Sequence, residues 1–369
     1  MEVSELFALR TLGKDLVIEL PVEGSALSSA PFGGGLRKVR YVVYHTVPKD
    51  YDENPEDTAR EVLSYLNLPE EKSIVFLTAV NVPKNYVVKK GRNGSLKIAV
   101  IATVGLSNPA GVSCSEKIDR RPSTINLTLI TNGKLSTRTL VEVVEVVVES
   151  KVSFIRDLDL RCKGRPAFGT STDAVAIISL GLEGEVGYAG QATDFGKLAS
   201  KLVYEALESG ASRTKFPLGR GILDRLEERG ISVKDLVATA LELFIPWEEL
   251  DLRKAEGEIE AELKRVASDP NVASLLIASM KLDDEGFSGN IPGMDREEFS
   301  EDPVRLLADE ILGMAISIYL NGWKGLFEYY RYDSRKPGVI SKLPPFLDDA
   351  VSALIGGVTS RVYSRFLER

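Results

Sequence analysis

Hydrophobic periodicity changes once along this chain, and that change constrains the fold more than any single motif. In the first half, short β-branched runs alternate with amphipathic stretches. DLVIEL, VRYVVYHTV, SIVFLTAV, LKIAVIATVG, STINLTLIT and AVAIISL are bounded by Gly, Pro, Asn or Asp and predict strands. PEDTAREVLSYLNL and DFGKLASKLVYEALESG carry a helical period, the second stopping on Gly210. STRTLVEVVEVVVESKVSFIRDL is valine-rich, which favours strand. Its Glu142, Glu145 and Glu149 nevertheless share one helical face, so a long helix with its valines on a sheet is predicted. From LGRGILDRLEERGISVKDLVATALELFIP onward the pattern is helical, with no strand signature and no internal repeat. Ser232 is placed as an N-cap there, and Asp302 as a second, with Pro303 at the first helical position. The expected architecture is an α/β N-terminal domain, a mixed sheet with packed helices, over residues 1–210. An all-α C-terminal domain follows over residues 211–369. The boundary is expected in SGASRTKFPLG, where Gly, Ser and Pro cluster.

Composition excludes several classes of function. The chain has 369 residues, 44% hydrophobic and 27% charged, enough for two packed cores at roughly 150 residues per domain. A net charge of −8 is not a nucleic-acid footprint, which needs clustered positive charge. Cys114 and Cys162 are too few for a disulfide framework and fit a reducing cytosol. The N-terminal stretch lacks a cleavable-signal pattern. The apolar run Ile311–Leu320 is half the ~20 residues that span a bilayer. A cytoplasmic location is expected, and abundant Glu, Lys and Arg with few Met, Cys and His would also suit a thermophile. The only histidine is His45, and no Cys or His follows Cys162. Chemistry in the second half must therefore run without imidazole or thiolate.

Three acidic groups stand out in that half. Asp309 and Glu310 sit inside the helical ADEILG, where at least one must approach the apolar face. Asp333 lies in YYRYDSRKPG among Arg331, Arg335 and Lys336, and Asp348 with Asp349 follow Pro344–Pro345 in PPFLDDAVSALIGG. Taken singly, Asp348 and Asp349 suit the first turn of a helix. Asp333 suits a surface ion pair worth about 0–1 kcal/mol. Taken together, an oxygen-only set suits Mg²⁺ beside a substrate phosphate, with Arg331 and Lys336 holding the phosphate and Arg335 left to solvent. Metal-activated water, or an Asp nucleophile assisted by metal, then remains as the mechanism.

These blocks, with SDPNVASLLIAS, DEGFSGNIPGM and GILDRLEERGI, resemble the phosphatidylglycerophosphatase A superfamily over about Phe216–Tyr363. The likeness is greatest to its soluble archaeal branch, the CobZ-type α-ribazole-5′-phosphate phosphatases. The resemblance implies Mg²⁺ dependence, with Asp309, Glu310, Asp333, Asp348 and Asp349 in the metal role and Arg331 and Lys336 at the phosphate. Tyr332 stands where many relatives carry Phe.

In the first half, LSSAPFGGGLRK, ATVGLSNPAGVS, STINLTLI and GRPAFGTSTDAVAI put small polar residues at strand ends, where backbone amides and hydroxyls cradle an anion or an amide. Their blocks TVGLSNP, GTSTD and SSAP-x-GGG resemble the CbiZ family of adenosylcobinamide amidohydrolases over about Leu6–Leu207. That implies cleavage of the amide joining the corrin acid to aminopropanol, yielding adenosylcobyric acid for salvage. Ser171 replaces a family Gly, and Ala192 replaces a His in the segment AGQATDFGKL. His45 or Asp173 is then the alternative base, and a Ser-His-Asp triad would have to use His45. The ordered candidates are Asp173, Asn108, Thr170, Ser29 and His45, with Cys114 read as a buried small residue. The fused pair resembles the archaeal CbiS-type bifunctional enzymes of cobamide assembly, acting on small molecules without nucleic acid or membrane span. Two alternatives stay open: a lipid phosphatase, and a first half that binds corrinoid without cutting it.

Overall fold

All six strand-like runs of the first half enter one mixed sheet of nine strands. The computed structural model describes residues 2–3, 5–112, 114, 124–246 and 248–367. The strands are β1 (Glu2–Val3), β2 (Ala8–Leu12), β3 (Asp15–Ser28), β4 (Gly35–Thr46), β5 (Ser73–Thr78), β6 (Val87–Asn93), β7 (Leu96–Val104), β8 (Ile125–Thr131) and β9 (Ala174–Ser179). The long β3 pairs antiparallel with β4 along one edge. Its other edge takes β2 over Asp15–Glu19 and β9 over Ser25–Ser28, and the sheet continues β9–β8–β7–β6. Only β4–β5 and β8–β9 run parallel.

The sheet folds over on itself. Tyr44, fully buried on β4, donates its hydroxyl to the Ile101 carbonyl of β7 at 3.2 Å and meets Thr128 Oγ1 of β8 at 2.7 Å. Period-2 alternation then gives each half two apolar faces. Ile18, Val42, Ile74, Ile101, Ile130 and Ile178 line the inner core. On the outer face of β3–β5, Val17, Val43 and Val75 take Ala59, Val62 and Leu63 of α1 (Pro55–Leu66). A short α2 (Val82–Asn85) follows β5. On the outer face of β7–β9 lie α3 (Thr137–Asp157) and α4 (Asp194–Arg213), burying Val143, Val147, Leu202 and Val203 against Val100, Leu127 and Ile177. The valine-rich segment is thus the expected long helix, N-capped by Ser136.

Two expectations fail in this unit. Gly210 does not end its helix. α4 runs on to Arg213, and a Cβ at Gly210 would collide with the Val104 side chain. The glycine is there for close helix–sheet packing. Cys114 and Cys162 are joined in a disulfide, with Cα atoms 6.0 Å apart, in the usual range for that bond. The topology brings them together: Pro109–Ala110 pairs with Gly169–Thr170, and Arg161–Cys162 pairs with Arg165–Pro166.

The chain divides into compact units Met1–Leu218 and Gly219–Arg369. The second unit is helical: α5 (Ile222–Glu227), α6 (Val233–Glu242), α7 (Leu252–Val266), α8 (Pro270–Ser288), α9 (Arg296–Ser300), α10 (Ala308–Arg335) and α11 (Pro345–Leu367). Ser232 caps α6 in a capping box with Asp235. Every residue of α11 from Pro345 to Ser360 is buried, Asp348 and Asp349 among them, which puts this helix at the centre of its unit. Asp302 does not cap α10, which starts only at Ala308. It adopts a left-handed φ of 52° and gives its carboxylate to Lys336 Nζ at 3.0 Å. Among the described residues no helix is long and apolar enough to cross a membrane.

Candidate active sites

In the second unit the site is made by a fold within α10. Asn321 (φ −151°, ψ 33°) and Gly322 (φ 56°, ψ −142°) break the helix into two arms. The arms lie against each other because glycines face bulk: a Cβ at Gly313 would stand 2.7 Å from the Tyr329 ring, and one at Gly325 would strike the Ser317 carbonyl. Pairing 313 with 329 and 317 with 325 sets Asp309 opposite Asp333. The first turn of α11 adds Asp348 and Asp349.

All five predicted acids meet here. Oxygens of Asp309, Glu310 and Asp349 lie within 4.8 Å of one another, and so do those of Asp333, Asp348 and Asp349. Asp349 belongs to both groups, and Tyr329 donates its hydroxyl to it. Asp309, Asp348 and Asp349 are buried. Burial pushes Asp309 and Asp349 up to about 8, and the neighbouring carboxylates add to it. Asp348 is pushed up to about 7 by burial, against the pull of Lys336, whose Nζ sits 2.6 Å away. Asp333 is raised as well, by burial. Glu310 Oε2 and Asp348 Oδ1 are buried and meet no hydrogen-bond partner among the described residues. Crowded carboxylates with unsatisfied oxygens fit a divalent cation, for which hard oxygen donors are the ordinary ligands. A cleft of about 350 Å³ opens beside them, lined by Phe287, Asp302, Lys336, Lys342, Pro344 and Asp348.

Arg331, expected at the phosphate, stands elsewhere. It is two residues from Asp333, hence on the far side of the helix. Its guanidinium donates to Glu328 at 2.7 and 2.8 Å and to the Leu243 carbonyl at 2.8 Å. Lys342 lines the cleft instead. Arg335 is exposed. Asp283, not singled out in the sequence, accepts the amides of Phe346 and Leu347, each at 3.0 Å, and fixes the start of α11.

In the first unit four of the five candidates gather where β3 and β7 end and β8 and β9 begin. Asp173 is the hub. Its carboxylate accepts from Lys151 Nζ at 2.6 Å, from the amides of Thr170 and Ile125 at 3.0 Å each, and from the Thr170 hydroxyl. Ser29 Oγ accepts the Val175 amide at 3.0 Å, and Asn108 donates to Ser171 Oγ at 2.8 Å. Thr124 donates to the Thr172 carbonyl and Asn126 to that of Leu77. Ser113 and Ser123, at the ends of two of the quoted stretches, lie outside the described residues. His45 is not part of this network. Alternation along β4 sends Val43 against α1 and Tyr44 inward, so His45 projects on the α1 side, where Nδ1 meets Asp15 Oδ1 at 2.6 Å. Ala192 is exposed just before Thr193, the N-cap of α4.

Residues 5–216 match the family model described as adenosylcobinamide amidohydrolase, CbiZ. The chain belongs to this family. It is therefore a hydrolase, and the four gathered residues stand within the matched segment. An adenosylcobinamide amidohydrolase of Methanosarcina mazei is 28% identical over 207 residues, 53% of this chain and 94% of that protein. The Halobacterium salinarum protein of the same name is 30% identical over 207 residues, 53% of this chain and 84% of its own length. An uncharacterized protein of Methanocaldococcus jannaschii is 39% identical over 127 residues, 33% of this chain and 96% of that protein.

Lys151 is the residue of this network that sequence reasoning missed, although a signal was present. It lies four residues after Val147 and three before Phe154, both buried on the sheet-facing side of α3. A cation on an apolar helix face needs an anionic partner close by. Asp173 is that partner.

Proposed function

We propose that this hydrolase carries two activities of cobamide assembly and salvage. The first unit cleaves the amide between the corrin acid and aminopropanol of adenosylcobinamide, releasing adenosylcobyric acid. Membership of the amidohydrolase family over residues 5–216 supports this reading. The second unit removes phosphate from α-ribazole-5′-phosphate with the help of Mg²⁺. The observation that carries this part is the convergence of four other carboxylates on Asp349, with buried oxygens left unsatisfied. Asp309, Glu310, Asp333, Asp348 and Asp349 would hold the ion, which would supply Lewis acidity and an activated water. Lys336 and Lys342 would hold the phosphate as point charges. Phe287, 47% exposed in the cleft, offers an aromatic surface to the base of a nucleoside. A second reading of the first unit, corrinoid binding without cleavage, is favoured by the saturated carboxylate of Asp173.

The test is a product assay by mass spectrometry with both substrates. Adenosylcobyric acid should form from adenosylcobinamide. Phosphate should leave α-ribazole-5′-phosphate with Mg²⁺ and stop with EDTA. Dephosphorylation that ignores EDTA would remove the metal role, and tight cobinamide binding with no acid formed would favour the carrier reading. Faster turnover of phosphatidylglycerophosphate than of the nucleoside phosphate would overturn the substrate assignment.

The carboxylates also set a pH dependence. An acid whose folded pKa lies above its unfolded value near 4 holds its proton more tightly when folded. Its contribution is full below that value and is lost as pH rises through about 7 for Asp348 and about 8 for Asp309 and Asp349. In EDTA the second unit should therefore melt several degrees lower at high than at mildly acidic pH. Mg²⁺ should reverse the loss at the higher pH by binding the ionised form. Melting followed by helical circular dichroism checks this, and a flat profile in EDTA would contradict it.

A further inference from the structure

The outer face of the α10 hairpin takes no part in the site. Among the exposed residues from Leu307 to Tyr330, only Lys324 is charged, in a chain that is 27% charged. On the first arm Leu307, Ile311, Met314 and Ile318 are bare, spaced four, three and four apart. On the second arm Trp323, Phe327 and Tyr330 are 74%, 70% and 67% exposed, spaced four and three apart. Alternating steps of four and three make a straight seam on a helix, the spacing by which helices mesh side chains in bundles.

We propose that this face is the contact with a second copy of the chain, hairpin against hairpin about a two-fold axis. Seven large side chains, from about a third to three-quarters bare, offer on the order of 700–800 Å², close to the ~800 Å² each partner gives to a standard interface. A face with one charge has nothing with which to select a charged partner, whereas a two-fold axis matches it to itself. A bilayer is a poorer occupant. Surfaces that lie on anionic membranes are rimmed with Lys and Arg, and here five carboxylates sit on the inner side of the same hairpin and α11. The inference does not depend on the phosphatase reading.

Light scattering on the full chain tests it. The wild type at low micromolar concentration should show twice the mass of one chain. The Trp323→Glu/Phe327→Glu variant should show the mass of one chain with its helical circular dichroism unchanged. Ile311→Glu, on the other arm, should shift the mass the same way. A wild type at single mass, or variants that keep the doubled mass, would overturn the proposal. A wild type at single mass that floats with phosphatidylglycerol–phosphatidylcholine vesicles would assign the face to a membrane instead.

Discussion

Asp349→Asn should lower the Mg²⁺-dependent phosphate release proposed for the second unit by about 10³-fold, the several kcal/mol that a Lewis-acid ion supplies. Asp349 is the residue for the experiment because it alone belongs to both carboxylate groups. An amide keeps its shape and can still accept the hydrogen bond from Tyr329, but it brings no charge to a cation. Misfolding is separable from lost chemistry by sign. The substitution removes one of several crowded acids, so in EDTA at alkaline pH the variant should melt no lower than the wild type. Mg²⁺, which should stabilise the wild type there, should stabilise the variant little. Amide cleavage assigned to the first unit should be unchanged. Phosphatase activity within tenfold of wild type, with stabilisation by Mg²⁺ intact, would sink the role given to Asp349. Loss of both activities would point to a general folding defect.

The five acids were legible in the sequence because three acidic groups in a half without His or Cys suit one shared oxygen-only site, and the superfamily resemblance implied the same residues. How they meet was not legible. The run Ile311–Leu320 reads as part of one helix, and the Asn321–Gly322 break that folds Asp309 back onto Asp333 shows only as an Asn-Gly pair. Which way Arg331 faces was not legible for a related reason. A separation of two residues from Asp333 puts Arg331 on the opposite side of the helix, and only the fold shows which side faces the cluster. Six strands of the first half were readable from short β-branched runs bounded by Gly, Pro, Asn or Asp, whereas the polar β2 and β6 were not, and α3 was readable from its glutamates. Glu142 accepts the Ala189 amide and Glu149 the Gln191 side chain, so that face also anchors the segment before α4. The disulfide was hidden because spacing says nothing of topology. It also sets two compositional expectations against each other. A reducing cytosol disfavours the bond, whereas intracellular proteins of hyperthermophiles keep such bonds.

The other large effect belongs to Asp173. Asp173→Ala should cost the first unit about 3–5 kcal/mol, the usual result of leaving one partner of a buried ion pair alone. Lys151 and Asp173 have side chains only 12% and 9% exposed, at an N–O distance of 2.6 Å. The substitution would leave an ammonium against the sheet and also release the Thr170 and Ile125 amides. Pairing it with Lys151→Met should recover much of the loss, because the stranded charge dominates the penalty and the amides remain unpaired. Equilibrium denaturation of the single and double variants measures both quantities. A single variant with an unchanged midpoint but no amide cleavage would restore Asp173 to the role of proton-transfer base. The reverse pattern, lost stability largely rescued by Lys151→Met, makes Asp173 the group that positions the GTSTD turn. The search for the hydrolytic base would then move to groups that the turn presents.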